Sequence, residues 1–263
     1  MTQSSTAHNQ LIQQEFTKQA TAYATNPTII DSDWALRLVQ VVQPTPQCRV
    51  LEVATGPGYV ALAFATVARE VVGVDLTDAP LDIARKNREA RGLTNVSFES
   101  ADAKQLPFDE ASFDIVTCRL AMHHFDMPER VFSEMVRVCR PGGKVAVEDM
   151  IASEQPDRAA YYNHWERLRD PSHVTALPVS RLVGCYQAAD LEIEAIQSEQ
   201  RTQEVEQWMR NTQTPADQAE EIRKLIQDDA DQHLSGTPIF RNEDGQLCFM
   251  HRMVTVVGRK LFH

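Results

Sequence analysis

The sequence has no basic run, no paired cysteines and no long apolar stretch, and each absence removes a class of function. Its 37 acidic residues outnumber 26 Lys and Arg, for a net charge of −11. A field of that sign repels phosphate backbones, and no Lys/Arg cluster offsets it, so nucleic acid is not an expected partner. The five cysteines (Cys48, Cys118, Cys139, Cys185 and Cys248) are odd in number and scattered, without a C-x-x-C pair. They read as reduced thiols of a cytosolic protein rather than a disulfide framework. There is no H-x-x-x-H pattern and no Cys/His spacing, so no metal is expected. No apolar run has the length to cross a bilayer, and the first sixteen residues lack a basic segment followed by an apolar one. The expectation is a soluble, cytoplasmic protein that acts on a small molecule away from membranes. A homodimer is left open.

What is present is an α/β alternation. At 43% hydrophobic and 24% charged residues, the 263-residue chain suits one large domain with an ordinary core. Leu11, Ile12, Phe16, Ala20 and Tyr23 recur at helical spacing over residues 9–23, and a second helix is expected over 29–42, ended by Pro44 and Pro46. Strands are then expected at Arg49–Val53, Glu70–Asp75, 95–98, 113–117 and 144–148, with a turn at 140–143. The intervening helices cover the stretch up to residue 68, then 80–91 and 128–139. Short apolar strands alternating with helices imply a doubly wound parallel sheet. After Met150 come helices near 157–168 and 179–189, a strand at 191–196, a charged helix at 215–231 and a last strand at 248–257. That last strand can pair antiparallel with its predecessor, which gives a Rossmann-like seven-stranded, mostly parallel sheet with helical lid insertions. The segment 203–233 reads either as a lid or as a solvated surface helix. The whole, 1–263, is read as one domain: cap helices at 9–43, a cofactor-binding core at 48–150, an acceptor-side and lid region at 151–245, and the final strand.

A strand, a glycine turn and a helix together bring backbone N–H groups around a nucleotide ligand. Here the turn is Glu52-Val-Ala-Thr-Gly-Pro-Gly58, and Gly56 and Gly58 allow a sharp turn and close ligand approach. Gly56 to Ala61 also fits the G-x-G-x-x-A dinucleotide fingerprint, and Asp75 stands at the spacing of a ribose-binding carboxylate in either case. Three features divide the alternatives. Glu52, at the end of the first strand, favours a cationic ligand over a pyrophosphate. Asp102, in Ala101-Asp-Ala103, can accept from an adenine amino group. Arg140-Pro-Gly-Gly143 precedes the fifth strand, and an antiparallel strand ends the sheet. Taken singly, Asp75 and Asp102 could equally be strand-end or N-cap carboxylates.

With these features in order, the chain resembles the class I S-adenosylmethionine-dependent methyltransferases. The likeness is to their ubiquinone/menaquinone-biosynthesis-like branch (methyltransferase type 11) and covers about residues 16–150. It is carried by Leu51-Glu-Val-Ala-Thr-Gly-x-Gly58, Val74-Asp-Leu-Thr77, Leu106-Pro-Phe108, Cys118-Arg119, His123-His-Phe125 and Arg169-Asp-Pro-Ser-His173. The resemblance implies that S-adenosylmethionine is the cofactor. It also implies that Ala54, Gly56 and Gly58 line its methionine moiety, with the Cys118–Arg119 backbone at the amino-acid end. Asp75 would bind the ribose with Leu76 beside the adenine, Asp102 and Ala103 would hold the adenine edge, and Gln19 and Tyr23 would close over the whole. Ala54 stands where the family has a first glycine, and its methyl group is expected to sit on an extended backbone.

Methyl transfer needs proximity and alignment above all, with a base only where the acceptor must lose a proton. His123 and His124 follow the fourth strand, on the ligand side of such a sheet; one is placed to act as base, and packing or capping is the plain alternative. Asp149, at the end of strand five, would orient an acceptor or bond loop backbone, and His173 would face the pocket or cap a helix. The expected function is methyl transfer to O, N or C of a small organic acceptor. An NAD-dependent oxidoreductase and a non-catalytic S-adenosylmethionine-binding regulatory module are the alternatives.

Overall fold

The structure, a computed structural model, describes residues 3–25 and 32–262. Helix α1 (Gln3–Thr25) and α2 (Ser32–Val42) precede β1 (Arg49–Val53), α3 (Tyr59–Phe64), β2 (Glu70–Asp75), α4 (Asp78–Ala90), β3 (Val96–Ser100) and β4 (Phe113–Arg119). After a single 3-10 turn at Met122–His124 come α5 (Pro128–Val138), β5 (Cys139–Met150), α6 (Pro156–Arg169) and α7 (Val179–Ala188). The chain ends with β6 (Leu191–Glu204), α8 (Val205–Asn211), α9 (Ala216–Gln232), β7 (Ile239–Arg241) and β8 (Leu247–Lys260). None of the described helices is long and apolar enough to cross a membrane.

The strands form one sheet in the order β3-β2-β1-β4-β5-β8-β6, with short β7 pairing β8. Strands β1 to β5 run parallel, and β8 is antiparallel to both β5 and β6. The central strands are apolar at consecutive positions because both faces are covered. Leu51, Val72, Val116 and Val145 face a core that includes Val131, Phe132 and Met135 of α5 and Tyr186 of α7. Their neighbours Val50, Val71, Ile115 and Ala146 face the opposite core, with Leu38 of α2, Leu62 of α3 and Leu81 of α4. The period-two alternation of a strand thus divides one apolar run between two layers. A third core, with Trp165, Trp208, Ile222, Ile226 and Phe249, joins α6, α8 and α9 to the outer half of β8.

Several expected boundaries change for physical reasons. The sequence 140–143 is not a turn ahead of a strand: β5 starts at Cys139, opposite Phe113, and the ladder resumes at Lys144 opposite Ile115. The extra residues form a bulge, with Gly142 at φ 74°. β6 runs to Glu204 rather than 196 because it stays paired with β8 along its polar half, where no apolar alternation marks a strand. β7 adds an eighth strand, and α8 is a further helix inside the expected lid segment. α9 is not simply solvated, since Ile222 and Ile226 are fully buried. The first turn of the expected helix at 29–42 lies outside the described residues. At Gly73 of β2, an added Cβ would stand 2.8 Å from Phe98 Cδ1 and Thr55 Oγ1. Gly73→Ala is expected to cost about 1–3 kcal/mol in urea unfolding, as overpacked sites do. An unchanged midpoint would show that Phe98 and the turn give way freely.

Candidate functional site

At the C-terminal edge of the parallel strands, the turn after β1 places three residues in the left-handed region: Ala54 (φ 57°), Gly56 (φ 52°) and Gly58 (φ 82°). The extended backbone expected at Ala54 is therefore replaced by one that costs an alanine about 1–2 kcal/mol. Gly58 is the residue before α3, and a side chain there would strike Phe98 Cζ at 2.7 Å. α3 therefore cannot carry its own side-chain cap. Glu52 supplies it from β1: its Oε2 accepts from Ala61 N–H at 2.7 Å and from Thr55 Oγ1 at 2.5 Å. Asp75, at the end of β2, does the same for the turn, accepting from Gly56 N–H and Thr77 N–H, both at 2.9 Å.

Burial pushes the Glu52 carboxyl from 4.5 up to about 8, against the lowering effect of Thr55, Ala61 and Arg119. Burial also raises Asp75, opposed by its backbone hydrogen bonds. Asp102 accepts from Lys104 N–H and from Asn9 Nδ2, each at 2.9 Å, which ties α1 to the loop after β3. Gln13 of α1 donates to the Leu76 carbonyl at 3.1 Å. Asn9, Ile12, Phe16 and Ala20, one face of α1, roof a cavity of about 1800 Å³ including its open mouth. The lining runs from Asp102 beyond β3 past the turn after β1 to Arg201 and His251, so the cavity spans the width of the sheet edge.

Glu52, Ala54, Gly56, Asp75, Leu76, Asp102, Ala103, Arg119, His123 and His124 all line this cavity. Other candidates stand behind it. Gly58 packs against Phe98 and Ala84, and Cys118 is fully buried, its thiol pushed well up by burial. Gln19 is buried, with its Nε2 turned to Asp170 Oδ2 at 3.3 Å and Glu15 Oε2 at 3.4 Å, so it braces α1 instead of roofing the cavity. The side chain of Tyr23 lies outside the described residues. His173 is held in the interior by Asn163: its Nε2 is 2.7 Å from Asn163 Oδ1, which also accepts from Ala176 N–H.

The two adjacent histidines have different partners. His123 Nδ1 lies 2.6 Å from Asp149 Oδ1, and its backbone N–H donates to Asp149 Oδ2 at 3.1 Å. Burial lowers His123, but the charge and hydrogen bond of Asp149 outweigh it and the net shift is upward. The carboxylate can only accept, so Nδ1 carries the proton and Nε2 is the remaining ring nitrogen. His124 is pulled down to about 4 by burial and by the charge of His123. Its Nδ1 lies 3.1 Å from Ser172 Oγ, whose hydroxyl donates to Asp170 Oδ1 at 2.6 Å. His124 is therefore a neutral hydrogen-bonding group and His123 the stronger base.

The far wall carries residues that the sequence pattern did not single out: Met150, Arg201, Trp208, His251 and Met253. Arg201 and His251 stand opposite each other on β6 and β8. Arg201 lies beyond the expected end of β6, in the polar half of an edge strand that carries no periodic signal, and only its pairing with His251 brings it to the site.

Residues 51–147 match the methyltransferase domain family. The chain is 30% identical over 246 residues to YcgJ of Bacillus subtilis, described as an uncharacterized methyltransferase, covering 93% of this chain and 97% of that protein. It is 28% identical over 199 residues to a demethylmenaquinone methyltransferase of Clavibacter sepedonicus, covering 74% and 78%. The crystal structure of Bacillus subtilis YcgJ superposes with a TM-score of 0.82 at 31% identity, over 88% of this chain and all of that one.

Between pH 4.5 and about 8 the folded chain holds a proton on Glu52 that the unfolded chain has lost, so folding stability falls as pH rises through this window. Glu52→Gln should remove that slope, on the order of a few kcal/mol across it. Urea midpoints at several pH values measure it, and parallel pH profiles for the two proteins would contradict the assignment.

Proposed function

Because the chain belongs to the methyltransferase family, we propose that it moves a methyl group from S-adenosylmethionine to O, N or C of a small organic acceptor lying in this cavity. The observation that carries this reading is the row of groups along the sheet edge. Asp102 and Asp75 stand at β3 and β2, the left-handed turn and Glu52 at β1, and the histidines beyond β4. The residues fit such a donor. A Cβ added at Gly56 would meet nothing within 4 Å, so ligand atoms can take the space at its Cα. Glu52 Oε2 is occupied by the turn, and Oε1 has no hydrogen-bond partner among the described residues. An acid in that position attracts a cationic amino or sulfonium group.

S-adenosylmethionine supplies a methyl group already activated on sulfur, whose C–S bond breaks toward sulfur as the acceptor's electron pair forms the new bond. The protein's own work is placement and proton transfer. Asp75 would accept the ribose hydroxyls, Leu76 and Ala103 would flank the adenine, and Asp102 would accept from its amino group. Ala54 and Gly56 would follow the methionine chain toward the backbone of Cys118 and Arg119, while the Arg119 side chain turns away to Glu148. His123, fixed by Asp149, would take a proton at Nε2 from an acceptor hydroxyl or acidic C–H, and His124 would hold the acceptor by a hydrogen bond. Gly58, Cys118, Gln19 and His173 support these groups from behind. The chain works as one domain on this reading, with the region after Met150 forming the acceptor side.

Calorimetric titration is expected to show saturable binding of S-adenosylhomocysteine and none of NAD; the reverse pattern would overturn the donor. Asp75→Ala should weaken S-adenosylhomocysteine by about tenfold or more, the size of a lost charge-assisted pair of hydrogen bonds. His123→Asn should lower turnover by about a hundredfold or more at little change in donor affinity. Activity should rise with pH as His123 gives up its proton, and Asp149→Asn should move that limb to lower pH. A limb that stays in place would remove His123 from the proton transfer.

A further inference from the structure

Arg119, the last residue of β4, pairs in register with Glu148 of β5, and its Nε donates to Glu148 Oε1 at 2.8 Å. Arg201, from β6, donates through Nη2 to the same oxygen at 2.7 Å. Arg201 also donates to Glu199 Oε1, and Glu199 Oε2 lies 3.7 Å from Arg37. The row Arg119, Glu148, Arg201, Glu199, Arg37 thus has three cations to two anions. Its inner part is less balanced still. The side chains of Arg119, Arg201 and Glu148 are 10%, 8% and 4% exposed, while Glu199 at 31% is screened by water. Two buried guanidinium groups share one buried carboxylate, in surroundings where an unmet charge is costly.

Both arginines line the cavity. Among the described residues, neither terminal nitrogen of Arg119 nor Nη1 of Arg201 has a hydrogen-bond partner, and none of the three is sealed from the open space. The Trp34 ring lies 3.9 Å from the Arg201 guanidinium carbon and holds its plane. A fixed fork of unmet N–H donors suits a carboxylate. The sheet order puts the pair on the side away from Asp75 and Asp102, and Arg201 faces His251 across the β6–β8 ladder. Met150, Met253 and Trp208 add apolar wall on the same side.

We propose that the acceptor is a small organic anion whose carboxylate is received by Arg119 and Arg201, with its apolar body against Met150, Met253 and Trp208. This rests on the methyl-transfer reading, since that reading gives the Asp75 and Asp102 end of the cavity to the donor and uses only the backbone at Arg119, leaving its side chain to the acceptor. The region that makes this wall, after Met150, lies beyond the 51–147 span shared with the methyltransferase domain family.

The test uses the full chain saturated with S-adenosylhomocysteine, titrated calorimetrically with 4-hydroxybenzoate and with its uncharged methyl ester. The acid should bind at least about tenfold more tightly than the ester, the scale of a charge-assisted hydrogen bond. Arg201→Gln should cut that preference to about twofold and leave S-adenosylhomocysteine affinity unchanged, while Arg201→Lys should retain part of it. Equal binding of acid and ester by the unaltered protein, or no binding of the acid at millimolar concentration, would overturn the proposal without any variant. Loss of S-adenosylhomocysteine affinity in Arg201→Gln, with the acid preference intact, would also overturn it and give the arginines to the donor's own carboxylate. If S-adenosylhomocysteine itself fails to bind the unaltered protein, the methyl-transfer reading falls instead, and the acid and ester titrations on the free protein still decide the anion.

Discussion

The structure of the sheet edge that borders the cavity depends on one buried carboxyl, that of Glu52. The packing of Phe98 and Ala84 against Gly58 leaves no room for a side chain at the start of α3, so the helix has no cap of its own. Glu52 reaches from β1 to Ala61 N–H and to Thr55, and so ties strand, turn and helix together with one oxygen. The left-handed residues Ala54, Gly56 and Gly58 follow from the need to fold the chain back within that reach. Asp75 repeats the device from β2 by holding Gly56 and Thr77. Glu52 is buried and Asp75 half-buried, and burial raises both carboxyls, a cost that the fold carries in order to hold the turn open toward the cavity.

From this fixed point the site runs along the sheet edge as a sequence of chemically different compartments. Asp102 and Asp75 define a polar end under α1, and the histidines with Asp149 occupy the middle. Beyond them, the extended ladder of β6 and β8 carries Arg201, His251 and Met253 over a separate aromatic core of Trp165, Trp208 and Phe249. That second core gives the outer wall its own support. Side chains there can differ between relatives without disturbing the turn after β1, because the two halves pack against different layers.

Much of the first half was legible in the sequence because its signals are local. The strands Arg49–Val53 and Glu70–Asp75 are short apolar runs bounded by polar residues, and their limits agree with the ladder. Glu52, Asp75 and Asp102 could be singled out since a strand end fixes where an acid points. The positive φ of Ala54 is not legible in the sequence, because a methyl group gives no sign of it; the turn geometry imposes it. The resemblance puts Gln19 over the ligand, and the turn at Pro171 leaves His173 between the pocket and a helix cap, whereas Asp170 and Asn163 draw both side chains inward. Arg119 was expected through its backbone, and its side chain joins the row at Glu148 only through pairing with β5 and β6. The polar half of β6 has no periodicity to read, so Arg201 emerges only in three dimensions.

The central claim is that a buried acid at the end of β1 both holds the turn and faces a cationic ligand. The most direct measurement is a carbon-13 NMR titration of the Glu52 carboxyl, assigned by its loss in Glu52→Gln, with and without S-adenosylhomocysteine. The expected result is a carboxyl still protonated at neutral pH in the free protein and ionised at the same pH once the amino group of the ligand lies beside it. A carboxyl already ionised near pH 6 in the free protein, or one that does not respond to the ligand, would contradict the claim.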